Sequence, residues 1–118
     1  MKQRLVIPGW LPPPVTNTSR QRHWATVRKE VKDVKEKAWG YAQAAGWVPV
    51  LGRARITVIF VHPVQRHRDH DNTTARAKHL IDGLKPWIVD DSTDWLDLSI
   101  TNVVRRGERA TEITLEAV

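Results

Sequence analysis

Residues 53–62, RARITVIFVH, constrain the fold of this chain more than any other stretch. In a strand, Ile56, Val58 and Phe60 share one face, while Thr57, Ile59 and Val61 share the other. Both faces are largely apolar, so the segment predicts a strand in the interior of a sheet and covered on both sides. His62-Pro63 closes it, because proline cannot donate to a sheet ladder. Other segments must flank this strand. QRLVI at 3–7 reads as a short first strand, and Pro8-Gly9-Trp10-Leu11-Pro12-Pro13-Pro14 excludes helix or central strand directly after it. Two further strands are expected at about 96–105 and 110–117. Arg106-Gly107-Glu108 lies between them as a turn signal consistent with a hairpin.

Two helices are expected between the strands. From about Trp24 to Ala45, residues Val27, Val31, Val34, Ala38, Tyr41 and Ala45 step by three or four and form one apolar face, with Gly46 as the stop. Arg28, Lys29, Lys32, Lys35 and Lys37 are interrupted by Glu30, Asp33 and Glu36, the pattern of a solvated face. From about Asn72 to Leu84, the inward stripe is Ala77, Leu80, Ile81 and Leu84, and Gly83 and Pro86 mark the end. The predicted order is β-α-β-α-β-β. This is an α+β fold, a single domain over 1–118 with a mixed sheet of about four strands and two helices packed on it.

Composition narrows the function. The 118 residues include 19 Lys and Arg against 13 Asp and Glu, a formal net charge of +6, and no cysteine. The charge favours nucleic acid or another anionic partner. The lack of cysteine excludes disulfides, thiolate zinc sites and a cysteine nucleophile, and is compatible with the reducing cytoplasm expected here. No apolar run approaches the roughly 20 residues needed to span a membrane. Six tryptophans read mostly as core or partner-facing anchors, with Trp10 or Trp24 able to stack on an unpaired base.

Within this basic chain lies an acidic cluster, RDHDNTTARAKHLIDGLKPWIVDD at 68–91. If the segment before the second helix is extended, Asp69 and Asp71 point the same way with Cα atoms about 6.6 Å apart, and His70 faces away. Two such carboxylates can converge on one hard divalent cation, Mg²⁺ or alternatively Mn²⁺. The structural alternative is helix capping by Asp69, Asp71, Asn72 or Thr73. Asp90 and Asp91 follow Trp87-Ile88-Val89, and adjacent extended residues point to opposite sides, so one of the two faces the cluster. The alternative there is an ordinary Asp-Asp-Ser turn. Lys78 stands seven positions after Asp71, on nearly the same helix face, where it could meet a phosphate oxygen; otherwise it is a solvated helix lysine. His67 and His70 could start a zinc site, but the surrounding aspartates favour Mg²⁺.

The string RDHDN, then Lys78-x-x-x-Asp82-Gly83-Leu84, then Asp90-Asp91-Ser92 resembles the RusA-like Holliday junction resolvases often carried by phages and prophages. The proline-rich start before Thr16 is similar as well. The resemblance implies a homodimeric, Mg²⁺-dependent endonuclease that nicks four-way DNA junctions symmetrically. It puts the essential carboxylates on Asp69, Asp71 and Asp91, with Asp90 as a neighbour in the metal site, and the essential lysine on Lys78. The chain departs from the family in one place. Family members often carry that lysine one helical turn after the second aspartate, where this chain has Ala75. Either the helix start bulges or Arg76 takes part of the role.

The leading expectation is therefore a metal-dependent endonuclease for branched DNA, with Arg20, Arg22, Arg66, Arg68 and Arg76 on backbone phosphates. The alternative is a non-catalytic, structure-selective DNA-binding protein whose acids cap helices and turns. Against it stand three acids placed where they would repel DNA without a metal between. A small hydrolase acting on nucleotides fits less well, since no glycine-rich phosphate loop is present.

Overall fold

The computed structural model of the chain describes residues 2–13, 24–65 and 70–118, and in the two helices the side chains from Val27 and Thr73 onward. In chain order the elements are β1 (Lys2–Pro8), α1 (Trp24–Ala44), β2 (Ala54–His62), α2 (His70–Leu84), a 3-10 turn at Lys85–Trp87, β3 (Leu96–Val104) and β4 (Ala110–Ala117). The architecture is α+β with one mixed four-stranded sheet in the order β1-β4-β2-β3.

The strand with two apolar faces is interior, as its pattern requires. β2 pairs in parallel with β3, Ile56 against Leu98 and Val58 against Ile100, and antiparallel with β4, Ile56 against Leu115 and Val58 against Ile113. Alternation then sorts the side chains. Leu5 and Ile7 of β1, Ile56, Val58 and Phe60 of β2, Leu96 of β3, and Ile113 and Leu115 of β4 form one core with Val34, Ala38 and Ala42 of α1 and Ala77, Leu80, Ile81 and Leu84 of α2. Both helices thus lie on one face. The expectation that β2 is covered on both sides is corrected here: among the described residues no helix lies on the other face. Val61 is buried there and Ile59 half-buried. The Arg4 and Arg105 guanidinium groups converge on the buried Glu112 carboxylate at 3.5 and 2.7 Å, and Arg55 reaches Asp97 at 3.1 Å and Glu116 at 3.9 Å. Long arginine stems can cover apolar surface while the charge stays wet.

The expected hairpin between the last two strands does not form. β3 and β4 flank β2 and do not pair with each other. The Arg106-Gly107 turn exists, with Gly107 at φ +75°, but it folds over the end of β2. There Arg105 N–H donates to the His62 carbonyl at 3.0 Å and Gly107 N–H to the Pro63 carbonyl at 3.3 Å. Crossing one strand requires about 9.6 Å, which the link between β3 and β4 spans easily. A local turn signal says that the chain reverses; it does not say which strand receives it.

The helices keep their expected positions with shifts of detail. In α1 the inward stripe passes through buried Ala42, leaving Tyr41 exposed. The end is a Schellman motif: Gly46 has φ +70°, Trp47 N–H donates to the Ala42 carbonyl at 3.1 Å and Gly46 N–H to that of Gln43 at 3.0 Å. Trp47 then turns inward, its ring edge-on to Trp87 at 6.3 Å, and its carbonyl accepts the Trp87 indole N–H at 3.0 Å. The Gln3 amide makes a two-point clasp with the Val48 peptide, at 2.8 and 2.6 Å, fastening β1 to this turn.

Gly83 has a different role from the helix stop expected of it. It lies inside α2 and is buried, and a β-carbon there would overlap the Lys35 carbonyl of α1. The proline signal is the one that marks the boundary, with Pro86 in the 3-10 turn just past the helix. Gly83→Ala should therefore lower stability by about 1–3 kcal/mol, the usual cost of overpacking. Gly40→Ala, in α1 with no atom within 4 Å of the added carbon, should raise it by about 0.5–1 kcal/mol. Urea melts of the two variants against wild type check both signs.

Candidate active site on helix α2 and the loop before β3

One face of α2 points away from α1 and borders an open cavity. Thr74, Ala75, Lys78 and Ile81 form its helical wall, Leu96 and Leu98 of β3 its floor, and Asp91 its rim, around a volume of about 420 Å³. At 100° per residue, Ala75, Lys78 and Ile81 fall in one stripe, and the backbone position of Asp71, seven before Lys78, continues it about 10 Å up the axis. The structure thus brings Lys78 and Asp91 to one cavity. Arg76 does not line it: two residues from Lys78, it lies some 160° round the helix and is half-buried.

The loop carrying Asp91 is fixed where it enters β3. Trp95 and Leu96 N–H groups donate to the Ser92 carbonyl at 3.0 and 2.8 Å, and the Arg53 guanidinium donates to the carbonyls of Thr93 and Asp94 at 3.0 and 3.1 Å. The two adjacent aspartates divide their work. Asp90 is exposed and engaged in the turn: hydrogen bonds from the Ser92 hydroxyl, then from the Asp91 backbone, hold its carboxyl below the ordinary value. Asp91 is the one at the cavity, where its Oδ2 lies 3.7 Å from Lys85 Nζ. Lys85 also reaches Asp82 at 3.6 Å, and His79 Nδ1 lies 3.9 Å from the same carboxylate. Both partners of the Asp91–Lys85 pair are about half exposed, so it contributes on the order of 0–1 kcal/mol.

The start of α2 overturns one inference from sequence. The helix begins at His70, so Asp71 is already helical and Asp69-His70-Asp71 is not one extended segment. The two-residue alternation that made the pair converge does not apply past His70, where residues two apart diverge by 200°. Thr73 is likewise inside the helix and not its cap. Asp69, Arg20, Arg22, Arg66, Arg68 and His67 lie outside the described residues, as do the side chains of His70, Asp71, Asn72 and Trp24. Among the described residues no three acidic or histidine side chains gather as a metal-binding group. Trp10 packs against the core, with Lys37 Nζ 5.4 Å from its ring centre.

A polar link that the sequence reading missed sits beside the first turn of α2. His62, at the end of β2, donates from Nε2 to Asn102 Oδ1 at 2.8 Å, and Asn102 Nδ2 donates to the Thr73 hydroxyl at 3.1 Å. His62 and Thr73 are both buried. The link ties the helical turn containing Asp71 to the adjacent ends of the two parallel strands. Its signal was present in the alternation: His62 follows Phe60, and Asn102 follows Ile100, on the inward face. A polar residue at such a position needs a partner.

For divalent metal chemistry, the donors present are suitable in kind. Asp91 offers hard carboxylate oxygens, half exposed and released by breaking only a weak ion pair, in a cavity open enough to keep water on the ion. Asn102→Leu should remove both bonds of the polar link and take a hydrogen-bond partner from each of the buried His62 and Thr73 side chains, lowering stability by about 1–3 kcal/mol. Hydrogen exchange should show faster opening of the first turns of α2 than of β4.

In comparisons with known protein families and with curated proteins, the chain matches none of them.

Proposed function

We propose that this protein is a metal-dependent endonuclease that resolves four-way DNA junctions, acting as a two-fold homodimer through paired nicks. The observation that carries the reading is the meeting of Lys78 and Asp91 on one cavity whose helical wall leads directly to the position of Asp71. The sequence resemblance to RusA-like resolvases picks out the same residues, and the net charge of +6 suits a polyanionic substrate.

In this reading Asp69, Asp71 and Asp91 hold Mg²⁺ or Mn²⁺, with Asp90 beside them in the loop. The bound ion supplies a hydroxide nucleophile and neutralises charge on the scissile phosphate. Lys78 presents its ammonium group to a phosphate oxygen or the leaving group. Lys85 lies against Asp91 until the weak pair is exchanged. Arg20, Arg22, Arg66, Arg68 and Arg76 contact backbone phosphates, so binding weakens as salt rises. A second reading, a structure-selective DNA-binding protein without catalysis, draws on the turn occupied by Asp90 and the ion pair occupied by Asp91.

The test is nicking of a labelled four-way junction and of its linear duplex, with Mg²⁺ and with EDTA. Wild type should place paired nicks in the junction alone and lose them in EDTA. Asp91→Asn should reduce nicking at least a hundredfold, and Lys78→Ala by about 10²-fold, with junction binding preserved. Lys85→Ala should leave nicking within a few-fold of wild type. Tight junction binding with no nicks in either Mg²⁺ or Mn²⁺ establishes the binding-protein reading instead, and equal nicking by Asp91→Asn and wild type removes Asp91 from the site.

A further inference from the structure

On the sheet face away from the helices, the strand register sets side chains in rows. Lys2, Glu116, Arg55 and Asp97 stand side by side across β1, β4, β2 and β3. Two residues further along, the row is Arg4, Thr114, Thr57 and Ser99, and after it come Val6, Glu112, Ile59 and Thr101. The middle row is short. Glu112 and Ile59 rise on one side of Thr114 and Thr57, and Glu116 and Arg55 on the other, with about 13 Å between the flanking Cα rows. The result is a trough closed at the β1 end by two cations. Lys2, Arg4, Thr57, Ile59, Glu112 and Thr114 line a cavity of about 440 Å³ there.

The acids near this trough are already engaged, and its donors are not. Arg105 at 2.7 Å answers the Glu112 charge, and the other Glu112 oxygen orients Arg4 from below at 3.5 Å. Glu116, beside Lys2 in register, lies 3.9 Å from Arg55. Among the described residues Lys2 makes no ion pair, and the half-buried Thr57 and Thr114 hydroxyls make no hydrogen bond. Half-buried donors of this kind call for an acceptor from outside the chain. An ammonium group, a guanidinium fork and two hydroxyls offer more donors than the two oxygens of a carboxylate can use. A phosphate monoester brings three terminal oxygens and a charge of about −1.5 to −2 at neutral pH, which two cations match. A phosphodiester of a nucleic-acid backbone carries a single charge and two such oxygens, and fits less well.

We propose that the trough binds a small phosphate monoester. Lys2, Arg4 and the Thr57 and Thr114 hydroxyls take its terminal oxygens, and its organic part lies against Ile59. Glu112 acts through Arg4, as a positioning residue. The site lies across the sheet from the Lys78–Asp91 cavity, whose floor residue Leu96 belongs to the helical side. The inference therefore rests neither on the nuclease reading nor on a metal.

Amide NMR shifts during titration with phenyl phosphate test it, in EDTA and on Lys78→Ala protein, so that the other cavity offers neither a metal nor its lysine. Saturable shifts should gather at Thr57, Ile59 and Thr114. Inorganic phosphate, which lacks the organic part, should bind more weakly, and dimethyl phosphate, a singly charged diester, about tenfold more weakly. Arg4→Met added to that protein should weaken phenyl phosphate by about tenfold. Thr57→Val/Thr114→Val, which keeps the β-branched shape and every charge, should weaken it by about threefold or more, and does not depend on whether the Arg4 variant folds. No saturable shift, shifts scattered over exposed lysines such as Lys32 and Lys35, equal binding of dimethyl phosphate, or unchanged binding by the threonine variant each overturns the site. Shifts of these residues by four-way junction DNA but not by phenyl phosphate overturn it too, and give the face to nucleic acid.

Discussion

The approach of α2 to α1 at Gly83 governs where everything else on α2 can go. The two helix backbones touch where the glycine lacks a side chain, against the Lys35 carbonyl. With that point fixed, Ala77, Leu80 and Leu84 must face the core, and the stripe through Ala75, Lys78 and Ile81 must turn toward β3. One small residue thus orients the wall of the candidate site from a position outside it. At the other end of the helix the His62–Asn102–Thr73 link does a similar job by hydrogen bonding. α2 is held by close packing near its end and by polar contacts near its start, which suits an element that has to present side chains at defined positions.

The aspartates at 90 and 91 illustrate how adjacent residues of one type come to differ. Asp90 spends its oxygens on the turn that it helps to form, whereas Asp91 points to a cavity and meets a lysine across about half-open solvent. The first arrangement is local and closed. The second is exchangeable, and exchangeability is what a binding group needs. The same contrast separates Lys78, at the cavity, from Arg76, round the helix.

Much of the fold was legible in the sequence because periodicity reports directly on burial. The two-faced pattern of Ile56–Val61 placed β2 in the sheet interior, and the stripes of three and four placed both helices. Strand pairing was not legible. Arg106-Gly107 announces a reversal, but partner choice is decided by which strand ends lie within reach, here β2 between β3 and β4. For the site, the same-face relation of Asp71 and Lys78 could be read from spacing alone, while the geometry of Asp69 and Asp71 depended on where α2 begins, and nothing in RDHDN marks His70 as that point. Lys85 and Asn102 were visible only as an ordinary lysine and a polar interruption of a strand, because their meaning lies in residues distant along the chain.

The place of β4 has a consequence for biogenesis. β4 lies between β1 and β2, pairing Lys2 with Glu116 and Ala54 with Ala117. It is also made after every other element described. Until it leaves the ribosome, β1 has no partner strand among the described residues, so the sheet closes only once β4 has emerged. Sheets completed by such long-range pairing fold slowly and expose apolar surface meanwhile. A chain cut short of Ala110 lacks the strand that joins β1 to β2.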